Sequence, residues 1–159
     1  PDGSIVGNAN DDDPALYELH HDVIDSADQV QIYESIMVGP DGAVTTGLLT
    51  GVRYIKDNRL LPRGFDKAGA HEDIAVYGGA AADADFQAGS DRVRYSLDLA
   101  GAQGPFRVVA KLWYQPISFR WANNLRPYDA FETQRFIRYY ESMAEVSAIV
   151  LAEDSAIAR

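Results

Sequence analysis

Two neighbouring segments of the chain alternate apolar and polar residues with a period of two. The apolar positions of the first segment are Val93, Tyr95, Leu97 and Leu99, and those of the second are Phe106, Val108, Ala110, Leu112 and Tyr114. Because successive side chains of a strand point to opposite faces, this period predicts two half-buried strands. The intervening AGAQG favours a turn, so we expect the two strands to form a hairpin.

The segments before this pair also read as strands and turns. Pro40 and Gly42 fit a tight turn between a strand over 29–38 and a second strand over 43–46. Gly51 and Pro62 interrupt any helical stripe further along, and Ile74–Tyr77 is a short strand candidate. The sequence therefore predicts a mostly β fold, a two-layer antiparallel β-sandwich of jelly-roll type.

One amphipathic helix is expected near the C-terminal end, before a last strand over Ser147–Leu151. Asp129 and Glu132 resemble an acidic capping box at its start. Its apolar stripe, at helical spacing, consists of Phe136, Ile137, Tyr140, Met143 and Ala144. Residues 1–14 are polar and acidic, which favours a linker or loose arm, and 15–159 is long enough for a single domain.

Charge and cysteine content exclude several classes of function. Against 24 acidic residues there are 14 Lys and Arg, so the net charge is -10, which disfavours binding to nucleic acid and to anionic membranes. No apolar run is long enough to span a bilayer. Cysteine is absent, which excludes a thiolate metal site, a cysteine nucleophile and a C-x-x-C-H haem attachment within these residues. Because the chain opens at Pro1, we expect it to be part of a longer polypeptide.

Histidines and aspartates supply the candidate ligands. His20, His21 and His71 lack the spacing of a zinc site, so they are either locally hydrogen-bonded residues or ligands of haem iron or a weak metal site. Asp83, Asp85 and Asp91 surround a Gly-containing loop rich in oxygen ligands, which suits calcium, although a solvated turn has the same composition.

Aromatic residues follow the second strand. Trp113, Tyr114, Phe119 and Trp121 are typical of a sandwich core, and they are also able to form a stacking surface for sugars. The chain has no G-x-S-x-G elbow and no nucleotide-binding glycine motif. These patterns favour a non-enzymatic domain, with an extracytoplasmic carbohydrate-binding module containing a structural calcium ion as the alternative and an autonomous hydrolase as a remote one.

Three segments together resemble a known family: IKDNRLLPRGFDK (Ile55–Lys67), DADFQAGSDRVRYSLDL (Asp83–Leu99) and AKLWYQPISFRWANNL (Ala110–Leu125). They are similar to the haem-free, β-rich C-terminal domain of periplasmic multihaem c-type cytochromes. The similarity extends from about Val30 to Leu151.

This resemblance implies an accessory or structural role in electron transfer, in the periplasm or another extracytoplasmic compartment. The domain would shield haems or present a surface to a redox partner protein, while haem c would be attached upstream, in a haem-bearing domain of the same polypeptide. His20 and His21, close to the expected junction, would be the candidate distal haem ligands. Independently of the resemblance, the aromatic side chains of Trp113, Tyr114 and Trp121 are the candidate binding surface.

Overall fold

The computed structural model describes residues 17–26 and 29–158, so the arm expected over 1–14 lies outside the described residues. The chain divides into two compact units. The first unit contains the described residues up to Leu97, and the second begins at Asp98. Whether the two units together make the one domain expected over 15–159 stays a prediction.

The first unit contains two small sheets and one short helix. Its elements are β1 (Val23–Ile24), β2 (Ser35–Val38), β3 (Val44–Thr45), β4 (Arg53–Asp57), α1 (Gly79–Ala82) and β5 (Arg94–Tyr95), with a 3-10 turn at Glu72–Ile74. β2 lies between β3 and β4 in an antiparallel sheet, and β1 pairs in parallel with β5.

The tight turn between β2 and β3 is confirmed. Gly42 has φ of 81°, a value that favours glycine, and its N–H donates to the carbonyl of Gly39 at 3.0 Å. Along β2, Ile36 and Val38 are buried on alternate positions, as the period of two predicts.

Phe86 is at the centre of the first unit's core. It is fully buried and clusters with Val76 and Ala80, and the half-buried Tyr33 and Leu61 pack against this group. The residues that form this core come from distant parts of the chain, so the core holds the loops on either side of α1 against the segment that enters β2.

The second unit consists of a long two-stranded ribbon and two helices. Its elements are β6 (Phe106–Tyr114), α2 (Phe119–Asn123), α3 (Phe131–Ser147) and β7 (Ile149–Ala158). β6 and β7 pair antiparallel along their whole length, with a cross-strand ion pair between Lys111 and Glu153 at 3.4 Å. The register shifts between Leu112 and Trp113 because Leu151 is an extra residue in β7.

The two faces of the β6–β7 ribbon differ in composition. Directly paired residues of an antiparallel ladder share a face. One face, here called the apolar ribbon face, carries Phe106, Val108, Ala110, Leu112 and Tyr114 from β6, and Ile149, Ala152, Asp154, Ala156 and Ala158 from β7. The mixed ribbon face carries Arg107, Val109, Lys111 and Trp113 from β6, and Val150, Glu153, Ser155 and Ile157 from β7.

The expected hairpin between 93–99 and 106–114 is wrong. Only Arg94–Tyr95 forms a strand in the first segment, and it pairs with β1, whereas β6 pairs with β7. The alternation identified β6 as a strand correctly, but a period of two says nothing about which strand is the partner. β7 is ten residues long and pairs with all nine residues of β6 across one register shift, whereas the local segment forms a strand of only two residues.

The predicted two-layer sandwich is corrected to a mixed α/β arrangement. The described strands lie in three separate sheets of two, three and two strands, and α3 occurs where the sequence placed it. The last strand, expected over Ser147–Leu151, is Ile149–Ala158, because α3 continues to Ser147. Ile74–Tyr77 is not a strand, because Glu72–Ile74 forms the 3-10 turn and Tyr77 makes one isolated bridge to Asp57.

The start and the stripe of α3 also differ from the sequence analysis. Ala130 is the N-cap residue and no side chain caps the helix, so the capping box at Asp129 does not form. Ile137 is buried and Phe136, Tyr140 and Ala144 are half-buried, as expected, but Met143 is exposed. The stripe is therefore narrower than the sequence suggested.

We expect Phe86→Ala to lower the free energy of unfolding by about 3–5 kcal/mol, because it empties the centre of the first unit's core. Urea denaturation followed by circular dichroism measures the change. Leu49→Ala is the control, since Leu49 is fully exposed and its truncation should change stability by less than about 0.5 kcal/mol. Equal effects of the two substitutions would contradict this description of the core.

Candidate functional site

Three titratable side chains meet in the first unit. His20 precedes β1, Asp83 follows α1, and Asp91 precedes β5. One ligand atom of each lies within 4.8 Å of the others, so the group has the dimensions of a metal-binding triad. We call it the His20 cluster. It is the strongest candidate site among the described residues.

His20 lies between a carboxylate and two amides. Its Nε2 is 2.9 Å from Oδ2 of Asp83. On the other side of the ring, Nδ1 is 2.9 Å from Nε2 of Gln31 and 3.1 Å from Nδ2 of Asn58. The ring meets Phe86 edge to face, with centroids 5.2 Å apart. The imidazole is buried, and both of its nitrogens are engaged.

The orientation of both amides is fixed by backbone groups. Oδ1 of Asn58 accepts from the Glu34 N–H at 2.9 Å, and its Nδ2 also donates to the carbonyl of Ile32 at 2.9 Å. Oε1 of Gln31 accepts from the His21 N–H at 2.9 Å.

Both amides therefore turn an NH2 group towards His20. Because an NH2 group only donates, Nδ1 of His20 is an acceptor, and the ring proton is on Nε2, which donates it to Asp83. The direction of the two amides thus decides which ring nitrogen of His20 donates and which accepts.

Asp83 is held as a carboxylate by several donors. Burial acts to raise its pKa, but the hydrogen bond from His20 and the N–H of Asp85, 2.7 Å from Oδ1, outweigh burial and lower the pKa below the ordinary value. The ammonium of Lys67 stabilises the backbone of the same segment, because it donates to the carbonyls of Asp83 at 2.6 Å and Phe86 at 3.0 Å.

Asp91 also has its own protein donors. The Tyr33 hydroxyl donates to Oδ2 at 2.6 Å, and the Arg92 N–H donates to Oδ1 at 2.8 Å. Burial of the ring, followed by the hydrogen bond to the carboxylate, raises the pKa of Tyr33 well above its ordinary range. Tyr33 therefore remains a protonated donor to Asp91 across the physiological pH range.

The His20 cluster matches a metal site in distances but not in hydrogen bonding. A histidine that binds a metal through one nitrogen normally donates the proton on the other nitrogen to an acceptor. Here Nδ1 of His20 faces two NH2 donors. If Nε2 bound a metal, the ring proton would be on Nδ1 and would point at these donors instead of at an acceptor. Calcium prefers six to eight oxygen ligands, and these carboxylates already accept from the protein. As they are hydrogen-bonded here, these three side chains do not present a ready site for Zn²⁺ or for Ca²⁺.

The structure brings together only part of the predicted calcium group. Asp83 and Asp91 lie in the His20 cluster, whereas the carboxylate of Asp85 points to the guanidinium of Arg92 at 3.9 Å. Calcium binding by Asp83, Asp85 and Asp91 stays a prediction, and it would require these hydrogen bonds to be exchanged for metal contacts.

The candidate haem ligands are both engaged within the chain. His20 uses both ring nitrogens in the His20 cluster, and Nε2 of His21 is 3.2 Å from Oε2 of Glu18. Ligation of a haem iron by either residue stays a prediction that requires the ring to leave these partners. His71, by contrast, is exposed beside Asp73.

The residues of the candidate aromatic surface do not lie on one face of the β6–β7 ribbon. Trp113 and Tyr114 are adjacent in β6 and therefore point to opposite faces, and both are about half exposed. Trp121 is on α2 and is exposed to a similar degree. Trp113 and Tyr114 do not form one stacking platform for a sugar.

Sequence reasoning missed the residues that organise the His20 cluster. Gln31, Asn58 and Tyr33 are neutral, and no spacing rule marks them as partners of a distant histidine. The only signal was Asn58 itself, a polar residue directly after a strand, a position equally typical of an exposed turn.

Comparisons with known proteins give no relative for this chain. No protein-family model, no curated protein and no solved structure matches it. Among the described residues, no helix combines the length and the apolar character that a membrane span requires.

We expect Asp83→Asn to lower the free energy of unfolding at pH 7 by about 1–3 kcal/mol. The amide keeps one accepting oxygen but puts an NH2 group where the carboxylate accepts from either His20 or the Asp85 N–H, so one buried donor loses its acceptor. The lowered pKa of Asp83 makes its stabilisation complete above about pH 4, and this stabilisation is lost as the pH falls through the lowered value. The difference in the free energy of unfolding between wild type and variant should therefore decrease as the pH falls. Urea denaturation from pH 7 to pH 3 measures it, with the more exposed Asp85→Asn as control.

We expect millimolar Ca²⁺ or Zn²⁺ to leave the melting temperature unchanged, because the His20 cluster is already satisfied by protein donors. A ligand that binds only the folded state must raise stability, so thermal denaturation with and without each ion is a direct measurement. A rise that disappears in Asp91→Asn would contradict the assignment of the cluster as a closed hydrogen-bond network.

Proposed function

We propose that this chain is a non-enzymatic accessory domain of a multihaem c-type cytochrome protein. It covers or positions a haem-bearing domain of the same polypeptide, and the contact is made by the apolar ribbon face. The observation that carries the proposal is the exposure of this face. The resemblance of Ile55–Lys67, Asp83–Leu99 and Ala110–Leu125 to haem-free cytochrome domains supplies the partner.

The β6–β7 ribbon is exposed far beyond what a two-stranded element tolerates alone. Isolated two-stranded ribbons are marginal in water and need a packed face. Yet Val108 is 45% exposed, and Tyr114 and Ile149 are exposed by about half. In the second unit the only described apolar residues that are buried are Ala122 and Ile137. An apolar surface of this extent marks a site of protein contact.

The polar chemistry of the described residues supports binding more than catalysis. A general acid or base must direct a proton or a lone pair towards a substrate. In the His20 cluster, the protons and lone pairs of the histidine and the two carboxylates are directed at one another and at fixed amide, hydroxyl and backbone groups. These side chains therefore stabilise the fold of the first unit.

Charge is distributed unevenly between the two units. In the described residues of the first unit, seven Lys and Arg stand against twelve Asp and Glu, whereas in the second unit six stand against seven. An acidic surface attracts a basic partner from a distance, and a nearly neutral apolar surface suits close contact. This division supports a docking role for the second unit.

The periplasmic location and the haem c are parts of the same proposal. Haem c would be attached to C-x-x-C-H motifs of the haem-bearing domain, since this chain has no cysteine. The contribution of the chain would be to exclude water from the haem-bearing domain or to present a surface to a redox partner.

We expect Val108→Asp, in the full polypeptide that contains this chain, to weaken the contact with the haem-bearing domain by about 2 kcal/mol or more, roughly thirtyfold. The physical reason is that a second carboxylate, close to that of Asp154 on the same face, would be buried in the contact. The measurements are the rate of haem reduction by a small polar reductant and hydrogen exchange of β6 and β7, and both should rise.

Val109→Asp is the matched control, because Val109 is the next residue, is 42% exposed and lies on the mixed ribbon face. It should leave both rates close to wild type. The proposal is overturned if the full reading frame encodes no C-x-x-C-H motif, or if the two variants behave alike.

A further inference from the structure

α3 carries a second apolar stripe that the described residues of its own unit leave exposed. Besides the buried side around Ile137, the helix presents Tyr139, Met143 and Val146, which are 63%, 54% and 71% exposed. The half-buried Phe136, stacked on Tyr140 with centroids 6.4 Å apart, continues the stripe towards the start of the helix. We call Phe136, Tyr139, Met143 and Val146 the α3 seam.

The spacing of the α3 seam is that of a helix-pairing surface. Its residues are separated by three, four and three positions, the alternation of the a and d positions in a coiled coil. A seam on one side of a helix is complementary in shape to a second helix, whose side chains fit between its own. The partner that fits this surface best is therefore an α-helix.

The α3 seam is complementary to itself when two copies run antiparallel. With the centre of the pair at Glu141, Phe136 lies opposite Val146 of the second copy, and Tyr139 lies opposite Met143 of the second copy. Each contact joins a large ring to a smaller flexible or branched side chain. Both contacts occur twice, as a two-fold interface requires.

Charges do not oppose this pairing. The residues that border the α3 seam are Thr133, Arg135, Tyr140, Ser142 and Ser147. Arg135 is the only charged residue among them. In the antiparallel pair, the residue of the second copy on the same side of the seam as Arg135 is Ser142, which is uncharged. Glu132 lies four residues before Phe136, beyond the end of the second copy's α3 helix in this arrangement. Glu141 and Glu145 are on the side of the helix away from the seam. The second unit is also nearly neutral, whereas contact through the acidic first unit would be repulsive.

We propose that the α3 seam is a self-association surface, through which two copies of this chain pair with their α3 helices antiparallel. This inference goes beyond the proposed function and does not depend on it, since the second copy rather than a haem-bearing domain is the occupant. The seam extends from Phe136 to Val146, about one and a half heptads, so the contact is small and the dimer is in rapid exchange with the monomer.

Sedimentation equilibrium of the 159-residue chain, from about 1 µM to about 200 µM, tests the proposal. We expect the apparent mass to rise with concentration towards twice that of the chain. Met143→Glu should weaken the dimer by at least about tenfold, because it buries two carboxylates in the seam. Arg138→Gln is the matched control, since it changes the net charge by the same amount at an exposed position off the seam.

Val146→Glu gives a second disruption at the other end of the seam, and circular dichroism verifies that each variant is folded. A chain that stays monomeric at the highest concentration overturns the proposal. A folded Met143→Glu or Val146→Glu chain that dimerises like wild type overturns it as well, and so does an equal loss in Arg138→Gln.

Discussion

The buried amide of Asn58 is the interaction on which the first unit depends. Its oxygen accepts from the Glu34 N–H, and its NH2 group donates to the carbonyl of Ile32 and to Nδ1 of His20. One side chain thus connects the end of β4, the entry to β2 and the segment before β1. Because that amide cannot turn over without losing a backbone partner, it also decides which nitrogen of His20 carries the proton, and through His20 it holds Asp83 in place.

The same constraint explains why a group with metal-site dimensions is better understood as a structural network. Distances between oxygen and nitrogen atoms are similar in both cases, and what separates them is the direction of the donors. Around His20 and Asp91, fixed donors occupy the positions that a cation would take. The apolar ribbon face and the α3 seam, by contrast, are exposed surfaces, so both of the protein contacts that we propose involve the second unit.

Much of the local structure could be predicted from the sequence, but long-range pairing could not. The turn at Gly42, the strand character of β6 and the helix around Ile137 follow from local residue patterns. The partner of β6 depends on a strand some forty residues away, about which alternation carries no information. Asp83 and Asp91 were identified from their carboxylates, whereas Gln31 and Asn58 were missed because neutral amides acquire their role only from the backbone groups that orient them.

The extra residue at Leu151 has a consequence for how β7 tolerates changes in length. Before that residue Ile149 shares a face with Tyr114, and after it Ala152 shares the same face with Leu112, so the insertion keeps both on the apolar ribbon face. Deleting Leu151 would remove the irregularity and leave Ile149 and Val150 on their present faces, because they would then follow Ala152 in regular alternation. The loss of one residue should therefore be tolerated at Leu151, whereas an insertion or deletion within the regular part of β7 would turn the residues beyond it to the opposite face.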